Sequence, residues 1–133
     1  MQTIMLAYDG ASAEHALQRA AMLAKSFGSR LIVATVVPVQ RDVIRGGPTI
    51  ENRDRYESDL DAAHTYLAEE GLEAEYVELT GEPGDELAAL AEQRGADMVV
   101  IGHHHHRLVE RLLGQSVSDA LAAKTHADVL LVH

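Results

Sequence analysis

Ala96-Asp97-Met98-Val99-Val100-Ile101-Gly102, followed by His103 to His106 and then by Leu112-Leu113-Gly114-Gln115-Ser116-Val117-Ser118, decides how this chain is read. The opening run is a short apolar strand that stops at a glycine. The polar loop behind it leads into a helix that begins near Ser116. In a parallel α/β sheet such a junction lies at the carboxyl end of a strand, where the amides of a helix amino terminus can hold an anion. The stretch therefore predicts a small ligand-binding α/β domain.

Working outward, apolar runs alternate with helical patterns along all 133 residues, the mark of βαβ units. The first strand reads as Thr3 to Tyr8. A helix from about Ser12 to Phe27 follows, with Ala16, Leu17, Ala20, Leu23, Ala24 and Phe27 on one face and Gly28 closing it. The second strand, Leu31 to Val37, is apolar almost throughout and so is placed centrally, covered on both faces. Pro38 to Thr49 is longer than most connections of this kind, and reads either as a functional segment or as a plain surface excursion. A helix from about Ile50 to Glu70 turns Tyr56, Leu60, Ala63 and Leu67 inward. The third strand, Glu73 to Leu79, alternates charged and apolar residues as an edge strand does. Gly81-Glu82-Pro83-Gly84 leads to a helix from Asp85 to Arg94. A fourth strand spans Met98 to Ile101, a last helix about Ser116 to Lys124, and a fifth strand Val129 to Val132. Joined by right-handed crossovers, these elements predict a single domain over residues 1–133. It is a three-layer α/β sandwich whose five-stranded parallel sheet has the order 3-2-1-4-5, with helices on both faces. The default binding crevice lies beyond the carboxyl ends of strands one and four.

Composition narrows the function. The net charge of −10 argues against a nucleic-acid partner, because a phosphate backbone needs a Lys/Arg surface. With one Phe, four Tyr and no Trp, a base-stacking platform is not expected either. A small anion needs only local positive potential, which Arg107 and Arg111 can supply. The absence of cysteine removes disulfides, thiol nucleophiles and thiolate metal sites. No apolar run is long enough for a membrane span. The first strand starts so near Met1 that no signal peptide fits, and the expected location is the cytoplasm.

Asp9-Gly10 stands where the first strand ends, facing the crevice. A carboxylate there can accept hydrogen bonds from a ribose or hold a cation; it can equally be a turn acid beside a flexible glycine. A phospho-receiver would add neighbouring acids and a lysine on a later strand, but the fourth strand here ends in Ile101-Gly102. Ser116 to Asp119 has the spacing of a capping box, with Asp in place of Glu. Its amides would face a bound anion, and the serine can also serve as a helix cap and nothing more.

Tyr8-Asp9-Gly10, Thr35-Val36-Val37, Ala96 to Gly102 and Gly114-Gln115-Ser116-Val117-Ser118-Asp119 together resemble the universal stress protein family. The likeness runs through the Gly81-Glu82-Pro83 turn to the final Ala127-Asp128-Val129-Leu130-Leu131-Val132 strand. It implies a cytoplasmic, dimeric protein with this sandwich, the fifth strand joining two subunits. Many members bind ATP through a loop of the form G-x-x-G, nine residues, then G-[ST]. Laid without gaps on this chain, the first glycine is Gly102 and the final hydroxyl is Ser116. His105 and Gln115 occupy the other two glycine positions, and those glycines are what let a backbone approach phosphates closely. Asp9 matches the family's adenosine-contacting acid, and Val36 the position that meets adenine through its main chain. The resemblance thus implies an adenine-nucleotide pocket for ATP or AMP with a degenerate phosphate loop, and Mg²⁺ only in company with ATP. Its residues are Asp9 and Val36 for the nucleoside and Gly102, Ser116 and Val117 for phosphates, with His105, Arg107 and Gln115 as local replacements.

His103 to His106 admit three roles: solvated loop, phosphate contact when protonated beside Arg107, or a metal site. Adjacent histidines rarely converge on one ion, and no spaced carboxylate or cysteine accompanies them, so no metal ligand is assigned. No nucleophile elbow, P-loop or metal-hydrolase spacing joins the Ser, His and Asp residues, so no catalytic residue is assigned and an enzyme is not expected. Slow ATP hydrolysis would need phosphate positioning that the substituted glycines compromise. Two classes stay open. One is a nucleotide-binding switch. The other is an ATP-independent stress-response protein that engages an unidentified protein partner through its dimer surface and the 38–49 loop.

Overall fold

The computed structural model describes residues 1–10, 13–37, 50–102 and 117–133. In chain order these form β1 (Thr3–Ala7), α1 (Glu14–Phe27), β2 (Arg30–Val37), α2 (Ile50–Glu69), β3 (Ala74–Thr80), α3 (Pro83–Arg94), β4 (Met98–Gly102), α4 (Val117–Lys124) and β5 (Asp128–Val132). The strands build one sheet in the order β3-β2-β1-β4-β5, and every neighbouring pair is parallel. The α/β sandwich expected from the sequence is therefore the observed fold.

Period-two alternation sorts each central strand between two cores. Ile4 and Leu6 of β1, with Leu31 and Val33 of β2, pack under α1 and α2. Met5, Ala7, Ile32, Ala34 and Val36 pack under α3 and α4 with Leu87, Leu90 and Leu121. Since β1, β2 and β4 are covered on both faces, their apolar runs carry almost no polar interruptions. β3 and β5 are the edges, and both are only partly buried.

Element ends differ from the expectation by a residue or two. β1 stops at Ala7, although the Tyr8 N–H still donates to the Ala34 carbonyl at 2.9 Å. β3 runs one residue later than expected, over Ala74–Thr80, while β4 gains Gly102, β2 gains Arg30 and β5 gains Asp128. α3 starts at Pro83 rather than Asp85, because proline's fixed φ suits a first helical residue that donates no hydrogen bond. α2 ends at Glu69. The starts expected for α1 at Ser12 and for α4 at Ser116, and the whole 38–49 connection, lie outside the described residues.

One packing expectation is corrected. The buried stripe of α1 is Ala16, Leu17, Ala20, Ala21 and Ala24, which rotates it toward Ala21. Leu23 then falls on the flank as a half-buried residue, and Phe27 is 56% exposed. Small alanines let the helix lie close to the sheet, and the larger side chains are displaced to its margin. Gly28 does close the helix in a left-handed conformation, as expected.

Candidate functional site

The turn after β1 is built around Gly10. Its φ is +90°, a conformation open to glycine and strained for other residues, and its carbonyl accepts the Ala13 N–H at 2.9 Å. This fold of the backbone sets Asp9 at the carboxyl end of β1 on the rim of a crevice. Tyr8, Asp9, Thr35 and Val36 line it from the strand ends, Tyr56 reaches it from α2, and Leu87 closes it from α3.

Val36 presents its backbone there. Tyr8 bonds to the Ala34 carbonyl, so the period of the strand also points the Val36 N–H and C=O toward β1. Ala7 is the last β1 residue in the ladder, paired with Ala34, so Val36 lies two residues past the end of β1. Its side chain is buried in the α3 layer. Thr35 has the opposite phase and is 1% exposed, yet among the described residues its Oγ1 has no hydrogen-bond partner.

α2 adds charges that the sequence did not assign to the site. The Asp59 carboxylate lies against Gly10, within 3 Å of where a Cβ would stand. Burial holds Asp59 above the usual carboxylate range; Arg55 opposes that shift, and the charge of Asp9 adds to it. The Tyr8 phenol is pushed up by burial and then by Asp59, Glu14 and Asp9. Tyr56 was legible as an inward residue. Asp59 was not, because its place depends on how far α2 leans over the β1 turn, and the length of the 38–49 connection leaves that open.

The phosphate side is described in part. Gly102 ends β4 beside Val132, next to Ile101, which pairs with Ala7. Val117 opens α4 with its side chain buried against the α3 layer, so only its backbone can face a ligand. His105, Arg107, Gln115 and Ser116 lie outside the described residues, as does the His103–His106 run. The structure thus brings Asp9 and Val36 together on one crevice, and sets Gly102 and Val117 at the neighbouring strand and helix ends. Among the described residues no group of three His, Cys, Asp or Glu is arranged to hold a metal.

A wider hollow lies at the opposite, amino end of the sheet, between Arg30, Glu73, Glu75 and Arg94. Arg94 is held there by Glu75, at 2.8 Å from Nε to Oε1 and 3.0 Å from Nη2 to Oε2. That pairing engages the guanidinium of Arg94. The crevice at the carboxyl ends is narrower but has unmet hydrogen-bonding capacity, and open parallel sheets bind ligands at this end.

Comparison with known proteins agrees with this fold. The model of the universal stress protein family matches residues 1–133. A stress response protein of Bacillus subtilis (strain 168), NhaX, is 32% identical over 95 residues, which are 71% of this chain and 57% of that protein's length. The match therefore spans little more than half of that relative. A universal stress protein solved in complex with cAMP is 29% identical, with a TM-score of 0.77 over 99% of this chain and 97% of the other. One from Archaeoglobus fulgidus is 24% identical, with a TM-score of 0.79 over 100% of this chain and 99% of its own, and shares the fold. The sheet order, the crevice and the full-length family match lead to one conclusion: this chain belongs to the universal stress protein family.

Proposed function

We propose that this chain binds an adenine nucleoside or nucleotide in the crevice at the carboxyl ends of β1 and β2. The observation that carries the reading is the juxtaposition of Asp9 and the β1-facing backbone of Val36 on one rim. A carboxylate accepts ribose hydroxyls, and a strand's N–H and C=O can pair with a base edge; the described residues supply groups of both kinds. The full-length relative solved with cAMP supports the ligand class. Gly102, the Val117 amide, Ser116, Arg107, His105 and Gln115 are then the phosphate side. With imidazole and amide side chains standing where close-approach glycines are usual, ATP binds weakly or in an altered pose, and Mg²⁺ enters only with it. The role is binding and signalling in the cytoplasm rather than turnover.

A second reading is an ATP-independent stress-response protein that works through a dimer surface and a protein partner. The half-exposed β5 edge, with Leu131 38% exposed, favours a homodimer in either reading. Sedimentation of the chain tests the dimer.

Thermal unfolding with ATP, AMP and adenosine, each with and without Mg²⁺, tests the ligand. Selective binding to the folded state raises the melting temperature with ligand concentration, by about 2.7 kcal/mol of stability at 100 times Kd. The expected result is a saturable rise with adenosine or AMP that exceeds the ATP response and is lost in Asp9→Ala. A flat response to all three at millimolar ligand refutes nucleotide binding and selects the second reading.

A further inference from the structure

Among the described residues, the β1 turn beside the crevice and under α2 gathers more negative than positive charge. Asp59 lies on Gly10 with its Oδ1 at 2.8 Å and its Cγ at 2.9 Å from the Cβ position. Asp9 stands one residue before that glycine, and Asp59, Glu14 and Asp9 all act electrostatically on the Tyr8 phenol. Among the described residues, Arg55, one helical turn before Asp59, opposes them. An independent observation points to a ligand group rather than to a bare acidic patch. The Thr35 hydroxyl is buried, lines the same crevice and has no partner among the described residues. Thr35 is out of phase with Ala34 and Val36, which face α3, so it lies on the layer that carries Tyr56. A buried unpartnered hydroxyl is costly, and a donor or acceptor placed beside it removes that cost.

We infer that Asp59 sets the charge preference of the crevice: the α2 end takes the uncharged, hydroxyl- and amine-bearing part of a nucleoside and repels phosphate, with Arg55 as the opposing charge. The inference rests on the adenine-ligand reading and adds to it the residue that sets the charge preference beside the nucleoside end. Ionised Asp59 disfavours AMP relative to adenosine over any separation within the Debye length, about 8–10 Å at ordinary ionic strength.

Calorimetric titration of the full chain with adenosine and with AMP at pH 8, in low salt and in 1 M NaCl, tests it on wild type, Asp59→Asn and Arg55→Gln. Asp59→Asn is expected to raise AMP affinity relative to adenosine by about three- to tenfold at low salt, and Arg55→Gln to lower it by a similar factor. Both changes should collapse in 1 M NaCl, where the Debye length is about 3 Å. Opposite signs are the signature of charge. A purely structural role moves both ligands together, in one direction for both variants, and survives salt; that result overturns the inference. Should Asp59→Asn fail to fold, the exposed Arg55→Gln carries the test alone by its sign and salt dependence. If adenosine binds and the ratio is unchanged in the variants, the inference falls and the ligand reading stands. If neither ligand binds the wild type, both fall.

Discussion

Asp97 ties the amino end of β1 to the amino end of β4. Its Oδ2 accepts the N–H groups of Gln2 at 2.8 Å and Thr3 at 2.9 Å, while its own N–H donates to the Thr3 carbonyl at 2.8 Å. The Thr3 bond, then the Gln2 bond, holds the carboxyl below the usual carboxylate range. A carboxyl lowered by folding stabilises the folded state above its unfolded pKa, about 3.9, and that contribution disappears as pH falls through the lower folded value. Asp97→Ala should therefore lower the melting temperature at pH 7 by about 2–4 °C, with the gap closing toward pH 3. A gap that stays constant over that range contradicts the charge-assisted bonds. At this scale Asp9 was legible, because an acid and a glycine at a strand end announce a turn beside a crevice. Asp97 stood in the family-like stretch with no role attached. Both of its donors lie at the far end of the chain in sequence, and no local pattern reveals such a bond.

β5 decides what the elements do together. It is an edge strand paired on one side with β4, and Leu131 is 38% exposed on it. An unpaired apolar edge invites a second copy. Sedimentation should give twice the chain mass for the wild type and a monomer for Leu131→Asp, with the melting temperature changed little. A wild-type monomer, or a dimer that survives the substitution, removes β5 from the interface. Elements were read well wherever period and punctuation agreed: the buried runs of β2 and β4, the alternating β3, and the glycine that ends α1. The rotation of α1 was missed because alanine, leucine and phenylalanine all count as apolar in a helical repeat. Close packing on a sheet prefers the smallest of them and leaves Phe27 outside.

For the whole molecule, strand order fixes the crevice before any side chain is considered. With β1 at the centre, β2 and β4 leave it in opposite directions, and their carboxyl ends diverge around Asp9. That much followed from alternating strands and helices and from right-handed crossovers. The charge distribution did not follow, because Asp59 comes against the Gly10 turn, and Arg55 near it, only through the placement of α2. The central claim is that an adenine ligand sits at these strand ends, and amide chemical-shift mapping of the chain titrated with adenosine tests it most directly. Saturable shifts are predicted at Ala7 to Gly10 and Thr35 to Val37, with none at Arg30, Glu75 and Arg94 across the sheet. Shifts centred on that opposite hollow, or no shifts at millimolar adenosine, would contradict it.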